Sequence, residues 1–338
     1  MLFVVVPIVD VCVGDRCDNP SDAEVERLSR DRYYRWCTYL YLPVNLAGLI
    51  VACYLWTQPA LSLMDKVGLA ITVGITGGIG INVAHELGHR IERLERWLSK
   101  VALAQPCYGH FCVEHSRGHH VHVATPEDAV SARFGESYWF FLPRSSVGGL
   151  LFALKAEHAR LRRSGRCWLG IHNELIRAWS LSLVLHGVLM TAFGWRIAPY
   201  LLLQAIIGVS LLEAINYIEH YGLLRQRLPT GRYERCSPKH AWNSDRLITN
   251  LGLFHLQRHS DHHAHPSRRY QLLRSMDEAP QLPAGYASMV LLALVPRLWR
   301  RVMDPCVLAH YDGDISRTNL VPALRKRYGH APLTLGTV

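Results

Sequence analysis

The run VGLAITVGITGGIGINVA occupies residues 67–84, carries no charge, and leads directly into HELGHR at residues 85–90. A helix needs about 20 mostly apolar residues to cross the hydrocarbon core of a membrane, so this run predicts a spanning helix. A spacing of four residues puts His85 and His89 on one helix face at the end of that span. The stretch therefore predicts a membrane protein that presents paired imidazoles at one membrane boundary.

Three further runs have the length and the apolar character of a membrane span. They occupy residues 38–56, 178–195 and 197–218, and Glu213 is the single charge within them. Another apolar run, residues 1–13, is too short to span, contains Asp10, and reads as the end of a span whose beginning is missing. Residues 286–301 predict an interfacial helix on the cytoplasmic leaflet. The predicted fold class is all-α, an integral membrane helical bundle.

The composition of the 338 residues agrees with a membrane protein. Hydrophobic residues make up 49% and charged residues 19%, against about a quarter charged in soluble domains. Nearly all of the 37 Lys and Arg residues lie on one side of the predicted spans, which the positive-inside rule makes the cytoplasmic side. The net charge of +10 therefore reflects topology, and no motif typical of nucleic-acid binding is present. The nine cysteines form no CxxC pair, which argues against a disulfide framework or a zinc ribbon.

Eight of the 19 histidines lie in three motifs, HELGH, EHSRGHH and QRHSDHH. These motifs contain His85, His89, His115, His119, His120, His259, His262 and His263. The adjacent pairs in the second and third motifs let one helix turn face two neighbouring metals. Imidazole binds iron, zinc, copper and nickel, so the ligand type alone leaves the metal open. HExxH is also the zinc-protease motif, but eight clustered histidines exceed the three protein ligands of such a catalytic zinc.

Four segments resemble the boxes of the membrane-bound alkane 1-monooxygenase family, which belongs to the larger group of membrane di-iron desaturases and hydroxylases. They read HELGHR, EHSRGHHVHVATPEDAVSAR, NYIEHYGLLR and LQRHSDHHAHPSRRYQLL. The resemblance runs from about residue 10 to about residue 294. It implies a cytoplasmic, histidine-rich helical cap that holds two iron ions. The ligands it implies are the eight motif histidines together with His220 of NYIEHYG.

Metal-bound histidines usually donate their second ring N–H to a carboxylate or a carbonyl. Six acids in or beside the motifs are candidates for this supporting role, with a surface salt bridge or direct metal ligation as alternatives: Glu86, Glu114, Glu219, Asp128, Asp245 and Asp261. The glycines of the second span either leave room for a substrate chain or allow close helix packing. They are Gly74, Gly77, Gly78 and Gly80.

The resemblance implies hydroxylation of medium-chain n-alkanes to 1-alkanols by O2, in the bacterial inner membrane and with the active site on the cytoplasmic side. An aliphatic C–H bond offers no acid, base or leaving group to a side chain, so a redox metal must activate oxygen. Electrons must come from outside the chain, because no nucleotide, haem or rubredoxin-like iron motif is present. The partners implied are rubredoxin and an NAD(P)H-dependent rubredoxin reductase.

Members of the family usually have six spans, so the first span and part of the second are expected to be missing from this chain. The predicted organisation is a membrane-bound di-iron hydroxylase domain, residues 1–294, and a cytoplasmic tail, residues 295–338. The family motif PEDPASAR reads PEDAVSAR here, with Ala129 and Val130, and loses no ligand. The alternatives left open are a hydroxylase of aromatic methyl groups such as xylene, an acyl-lipid desaturase, a membrane metal transporter or store, and an inactive lipid-binding relative.

Overall fold

The computed structural model describes residues 2–328, and within them the chain is almost entirely helical. The helices are α1 (Leu2–Val13), α2 (Asp22–Arg30), α3 (Tyr33–Thr57), α4 (Leu63–Gly88), α5 (Arg93–Ala102), α6 (Phe111–Glu114), α7 (His120–His122), α8 (Tyr138–Arg163), α9 (Glu174–Phe193), α10 (Ala198–His220), α11 (Leu247–Gly252), α12 (His259–Ala264), α13 (Tyr286–Ala293), α14 (Pro296–His310) and α15 (Pro322–Tyr328). Isolated bridges are the only β-pairing within residues 2–328. The all-α prediction is confirmed.

Four helices are long and apolar enough to cross a membrane: α3, α4, α9, and α10 together with the 3₁₀ turn Trp195–Ile197 before it. They coincide with the four predicted spans, which are confirmed as helices. Helix α9 ends at Phe193, two residues earlier than predicted, because Gly194 has φ of +83° and leaves the right-handed helical region.

The described residues form two compact units. The span unit comprises Glu26–Arg117 and Gly149–Leu212, and it contains α3, α4, α5 and α9 with most of α10. The histidine unit comprises the residues up to Val25, Gly118–Gly148, and the residues from Glu213 onward. It contains α1, the end of α10, and the helices that follow.

Glycines allow α4 and α10 to approach closely in the span unit. A Cβ on Gly74 would lie 2.7 Å from the Cβ of Ile207, and a Cβ on Gly78 would lie 2.9 Å from Cδ2 of Leu211. Gly208 of α10 packs in return, with its Cβ position 3.1 Å from the carbonyl oxygen of Gly74. Contacts of this kind between small residues hold helices together in lipid. Gly74 and Gly78 thus serve the packing role that the sequence left open beside the substrate-channel interpretation.

Amide side chains, buried at Gln105 and Gln204 and half-buried at Asn45, join α3 and α10 to the segment after α5. Asn45 Nδ2 donates to Oε1 of Gln105 at 3.0 Å, and Gln204 Nε2 donates to the carbonyl oxygen of Gln105 at 3.0 Å. Polar groups in a membrane bundle need partners inside the protein, because lipid offers none.

Asp10 ties α1 to α11 in the histidine unit. Its buried carboxylate accepts hydrogen bonds from the backbone N–H groups of Ile248 at 2.9 Å and Thr249 at 3.1 Å, and from the hydroxyl of Thr249. The first N–H groups of a helix have no partner within the helix, and a carboxylate satisfies them well. The acid that interrupts the N-terminal apolar run is therefore a helix cap.

The prediction of one continuous interfacial helix over residues 286–301 is wrong, because the structure divides this stretch into α13 and α14. Pro296 has no backbone N–H to continue α13, and it occupies the first position of α14, where that N–H is not needed. Tyr286 and Met289 on α13 and Trp299 on α14 are buried. These helices therefore supply part of the core of the histidine unit.

We expect Gly74→Ala to destabilise the protein, because overpacking a tight interior contact costs about 1–3 kcal/mol. The matched control is Gly68→Ala on the same helix, where a Cβ would meet nothing within 4 Å. That variant should keep or slightly raise the stability, since alanine favours a helix over glycine by up to about 1 kcal/mol. The thermal unfolding midpoints in detergent measure the difference, and equal shifts for both variants would contradict the packing role.

Candidate metal centre

Four buried imidazoles from three separate chain segments converge in the histidine unit. His220 is the last residue of α10, His119 ends the π-helical turn His115–His119, and His259 and His263 lie on α12. One ligand nitrogen from each histidine lies within 4.8 Å of the others. None of the four side chains is more than 8% exposed. We call them the four-histidine group.

The nitrogen spacing within this group fits a bound metal ion. Nε2 of His259 lies 3.2 Å from Nε2 of His220 and 2.9 Å from Nε2 of His263. The His119 ring is centred 4.8 Å from that of His220 and 4.9 Å from that of His263. Imidazole nitrogens bound at about 2.0–2.1 Å to one ion lie about 3.0–3.4 Å apart. A shared cation would bridge several of these nitrogens at once, whereas a hydrogen bond joins only two.

The protonation state of the group favours metal binding. Burial, together with the neighbouring histidines His259, His120, His119 and His220, holds the pKa of His263 well below its usual value of 6.5. The imidazole is therefore neutral at pH 7 and has a lone pair to offer. A neutral imidazole is the form that binds metals.

Asp128 fixes the orientation of His119. Nδ1 of His119 donates to Oδ2 of Asp128 at 2.9 Å, and the carboxylate also accepts from Ser131 Oγ at 2.6 Å and from the backbone N–H of Val130 at 3.1 Å. Burial alone would raise the pKa of Asp128, but the attraction of His119 and these hydrogen bonds bring it below 3.8. The charged carboxylate holds Nδ1 of His119 and leaves its Nε2 free to face the other three imidazoles, an arrangement common among metal-binding histidines.

Main-chain and acidic groups support the other imidazoles of the group. Nδ1 of His220 donates to the carbonyl oxygen of His240 at 3.3 Å. Oε2 of Glu219 lies 3.2 Å from Nε2 of His259, the nitrogen that faces the group, so with a metal bound this carboxylate would lie beside the ion and not accept from His259. Burial and the neighbouring Glu219 raise the pKa of the Tyr286 hydroxyl well above 10. The carbonyl of His240 and the hydroxyl of Tyr286 lie outside the histidine motifs, so the motif spacing did not identify them.

A second group of three imidazoles lies in the span unit. His85 and His89 come from the end of α4, and His115 follows α6. Their ring centroids are 4.5–5.1 Å apart, and Nε2 of His89 lies 3.0 Å from Nε2 of His115. Three protein ligands with a further position open to water or substrate are typical of catalytic metal sites.

The two remaining motif histidines meet each other in the histidine unit, where Nε2 of His120 lies 3.1 Å from Nε2 of His262. Adjacent residues of both motifs thus divide their roles: His119 and His263 join the four-histidine group, while their neighbours form this pair. The π-helical turn before His120 is a local irregularity of a kind frequent at functional sites.

Two of the predicted supporting acids lie in the span unit. Glu86 receives Arg90 Nη2 at 2.8 Å in a buried ion pair. Glu114 is buried, with its Cγ 3.2 Å from the Cβ position of Gly149. Their support of metal ligands stays a prediction.

Asp261 and Asp245 hold the chain around α12. Asp261 accepts from Nδ1 of His265 at 2.9 Å, from Nη1 of Arg268 at 2.5 Å, and from the backbone N–H of Arg274. Asp245 accepts from Ser275 Oγ at 2.6 Å. These bonds anchor the segment that follows the third histidine motif, and so they stabilise the helix that carries His259 and His263.

The other two glycines predicted for the substrate path, Gly77 and Gly80, also face protein atoms. A Cβ on Gly77 would lie 3.2 Å from Nε2 of Gln105, and a Cβ on Gly80 would lie 3.1 Å from Nδ2 of Asn45. Gly80 also borders an apolar groove of about 680 Å³ in the span unit. A place for these glycines in the substrate path stays a prediction.

Comparison with known proteins agrees with this arrangement of histidines. A model of the fatty acid desaturase family matches residues 66–293. The chain is 43% identical over 327 residues to the alkane 1-monooxygenase of Acinetobacter baylyi, which covers 97% of this chain and 80% of that protein. The chain belongs to the alkane 1-monooxygenases of the fatty acid desaturase family. The resemblance found in the histidine motifs is therefore confirmed over nearly the whole chain.

Two further relatives define the breadth of the family. Alkane 1-monooxygenase 2 of Pseudomonas aeruginosa is 46% identical over 317 residues, which cover 93% of this chain and 84% of the relative. The hydroxylase component of the xylene/toluene monooxygenase of Pseudomonas putida is 30% identical over 281 residues, which cover 81% and 74%. The alkane 1-monooxygenases are thus markedly closer in sequence than the aromatic-methyl enzyme.

We expect Asp128→Asn to weaken metal binding about 10–100-fold, because the amide holds the His119 ring less strongly than the carboxylate does. Metal per protein, measured across a series of chelator concentrations, reports this change. The control is Asp245→Asn, which also alters a buried acid beside a motif but leaves the His119 contact intact. Equal metal retention by Asp128→Asn and the unaltered protein would disprove the orienting role.

Proposed function

We propose that this protein hydroxylates the terminal methyl group of medium-chain n-alkanes. The balanced reaction converts R–CH3, O2, two electrons and two protons into R–CH2OH and water. Membership of the alkane 1-monooxygenases supports the reaction class, with relatives of that name 42–46% identical to the chain. The observation that carries the proposal is the convergence of His119, His220, His259 and His263 in the buried four-histidine group.

We propose two iron ions as the cofactor, held by nine histidines. These are His85, His89, His115, His119, His120, His220, His259, His262 and His263. When bound, iron would supply the exchange of electrons with O2 that no amino-acid side chain provides. The histidine donors are compatible with iron and with other first-row metals, so the assignment of iron rests on the family.

The protein's own contribution is to position the ligands and to control their surroundings. Asp128 and the His240 carbonyl orient two imidazoles through their Nδ1 atoms. Burial keeps water away from the four-histidine group and keeps His263 neutral. Glu219 lies against His259, where it is placed to accept or return a proton near the ligands. Rigid ligands of this kind lower the cost of reorganisation during the reaction.

We propose that the protein lies in a bacterial inner membrane with its histidines at the cytoplasmic side. The four apolar helices support a membrane location. The positive-inside rule supports the orientation, since the loop after α4 and the segment after α10 contain most of the basic residues. An alkane dissolved in the bilayer then reaches the enzyme without crossing water.

We expect His119→Ala to abolish alkane turnover and to lower the iron content, while membrane insertion remains intact. The variant removes the His119 imidazole, which is one member of the four-histidine group and the ring that Asp128 orients. The control is His158→Ala, which alters an exposed histidine on α8. Iron analysis and 1-alkanol formation from a C5–C16 series measure the two effects, and normal turnover by His119→Ala would refute the assignment.

Octane, xylene and an acyl lipid, assayed side by side, discriminate among the oxidation reactions. Hydroxylation of aromatic methyl groups is the second candidate, because the xylene/toluene monooxygenase component is 30% identical to this chain. We expect octane to be the best of the three substrates. Preferred turnover of xylene would indicate a hydroxylase of aromatic methyl groups. A new double bond in the acyl lipid would indicate a desaturase.

We propose rubredoxin, reduced by an NAD(P)H-dependent reductase, as the electron donor, and expect charge-steered docking on the basic cytoplasmic side. At subsaturating rubredoxin, turnover should fall as ionic strength rises from about 0.01 to 0.1 M, where the Debye length shrinks from about 30 to 10 Å. At saturating rubredoxin the rate should change little. A rate that is independent of salt under both conditions would contradict steering by charge.

A further inference from the structure

Helix α5 lies between two cavities of the span unit that have opposite chemistry. A polar cavity of about 440 Å³ is lined by Arg93, Arg96 and Trp97, among others. An apolar groove of about 680 Å³ is lined by Leu94 and Val101 and by residues of α3 and α9. Both volumes lie in the range of ligand-binding pockets.

The polar cavity has an excess of positive charge. Its charged lining residues are Arg90, Arg93, Arg96, Lys100, Arg117, Arg177 and Glu174. Glu174 pairs with both Lys100 and Arg117. Arg93 and Arg96 are exposed, and within residues 2–328 neither forms an ion pair with a carboxylate. The cavity is therefore suited to an anion that the chain does not itself provide.

Trp97 lies where the polar face of α5 meets its apolar face. The guanidinium of Arg177 lies 4.6 Å from the centre of the Trp97 ring, and the ammonium of Lys100 lies 5.7 Å from it. The tryptophan is 42% exposed. A tryptophan with cations on its ring is typical of the boundary between lipid and headgroup.

The polar cavity and the groove are lined by successive turns of one face of α9. Arg177 lines the polar cavity, while Leu181, Leu185 and Val188 line the groove. Spacings of three and four residues place these side chains on one face of the helix. The distance from Arg177 to Val188 is about 16 Å at 1.5 Å per residue, close to half of the roughly 30 Å hydrocarbon core. A ligand that fills both sites has an anionic head and an apolar tail as long as one leaflet.

We propose that this combined site binds one anionic phospholipid, with its phosphate against Arg93, Arg96 and Arg177 and one acyl chain in the groove of α3, α5 and α9. An acidic protein surface would satisfy the arginines but would leave the apolar groove unfilled. A neutral lipid would fill the groove but would leave the arginines uncompensated. The proposal does not depend on the alkane reaction, and it gives the basic residues around α5 a role besides topology.

Lipid binding to the full chain in a neutral detergent tests the site. Native mass spectrometry is recorded while phosphatidylglycerol or phosphatidylcholine with identical acyl chains is added. The unaltered protein should retain one phosphatidylglycerol at a lipid concentration about tenfold below that needed for phosphatidylcholine. The double variant Arg93→Gln/Arg96→Gln should weaken phosphatidylglycerol binding about 10–30-fold, since each basic residue near an anionic surface contributes roughly one factor of five.

Two matched controls separate binding at this site from general effects of surface charge and of side-chain bulk. Arg162→Gln/Arg163→Gln removes two exposed arginines at the end of α8 and should change binding less than twofold. Val184→Trp fills the groove and should weaken phosphatidylglycerol binding at least fivefold. Leu183→Trp, at the neighbouring exposed position outside the groove, should leave it unchanged.

Four results would overturn the proposal. Equal binding of the two lipids would exclude an anion preference, and displacement of the lipid by excess inorganic phosphate alone would indicate a site for a soluble anion. Unchanged lipid binding by Arg93→Gln/Arg96→Gln, with weakened binding of an acidic rubredoxin, would make this surface a protein-docking site. Displacement of phosphatidylglycerol by dodecane, with no effect of the arginine variants, would assign the groove to an alkane.

Discussion

The structure depends on one electrostatic constraint: the ring nitrogens of several buried imidazoles share a small volume. Nε2 of His259 lies within 3.2 Å of the corresponding atoms of His220 and His263. A positive charge on a ring would let it donate to its neighbours through both nitrogens, but burial opposes that charge on His263 and lowers its pKa. A metal cation would resolve this conflict, because it would bind the neutral rings and supply positive charge between their nitrogens. The buried carboxylate of Asp128 adds negative charge at the outer edge of the group.

The surrounding helices bring these nitrogens to a small volume and hold them there. Helix α10 ends at His220, and Gly222, with φ of +74°, turns the chain immediately afterwards. The Cβ position of Gly222 lies 2.8 Å from Cγ1 of Val307, so a larger residue would also disturb α14. Asp261 binds the segment that follows α12 and prevents that helix from moving independently. The geometry of the four-histidine group therefore depends on the whole histidine unit.

The basic residues of this protein have more than one physical role. Some complete buried ion pairs, as Arg90 does with Glu86. Others, among them Arg93 and Arg96, are exposed and line the polar cavity on α5, whose Leu94 and Val101 line the apolar groove. Charge near a membrane selects orientation, attracts anionic lipid and attracts acidic proteins through the same interaction. The neighbouring apolar groove favours the lipid role proposed for Arg93 and Arg96, because a lipid would fill the groove as well as compensate the charge.

Local patterns in the sequence determined the membrane helices and the histidine motifs, since run length and four-residue spacing depend only on neighbours along the chain. The same patterns could not assign His119 and His120 to different clusters, because that division arises where α10 and α12 meet the π-helical turn. Nor could they distinguish Asp128, which orients a histidine, from Asp245, which holds a loop. Whether an acid meets an imidazole, a hydroxyl or a guanidinium is decided by residues distant in sequence, and only the tertiary structure brings those together.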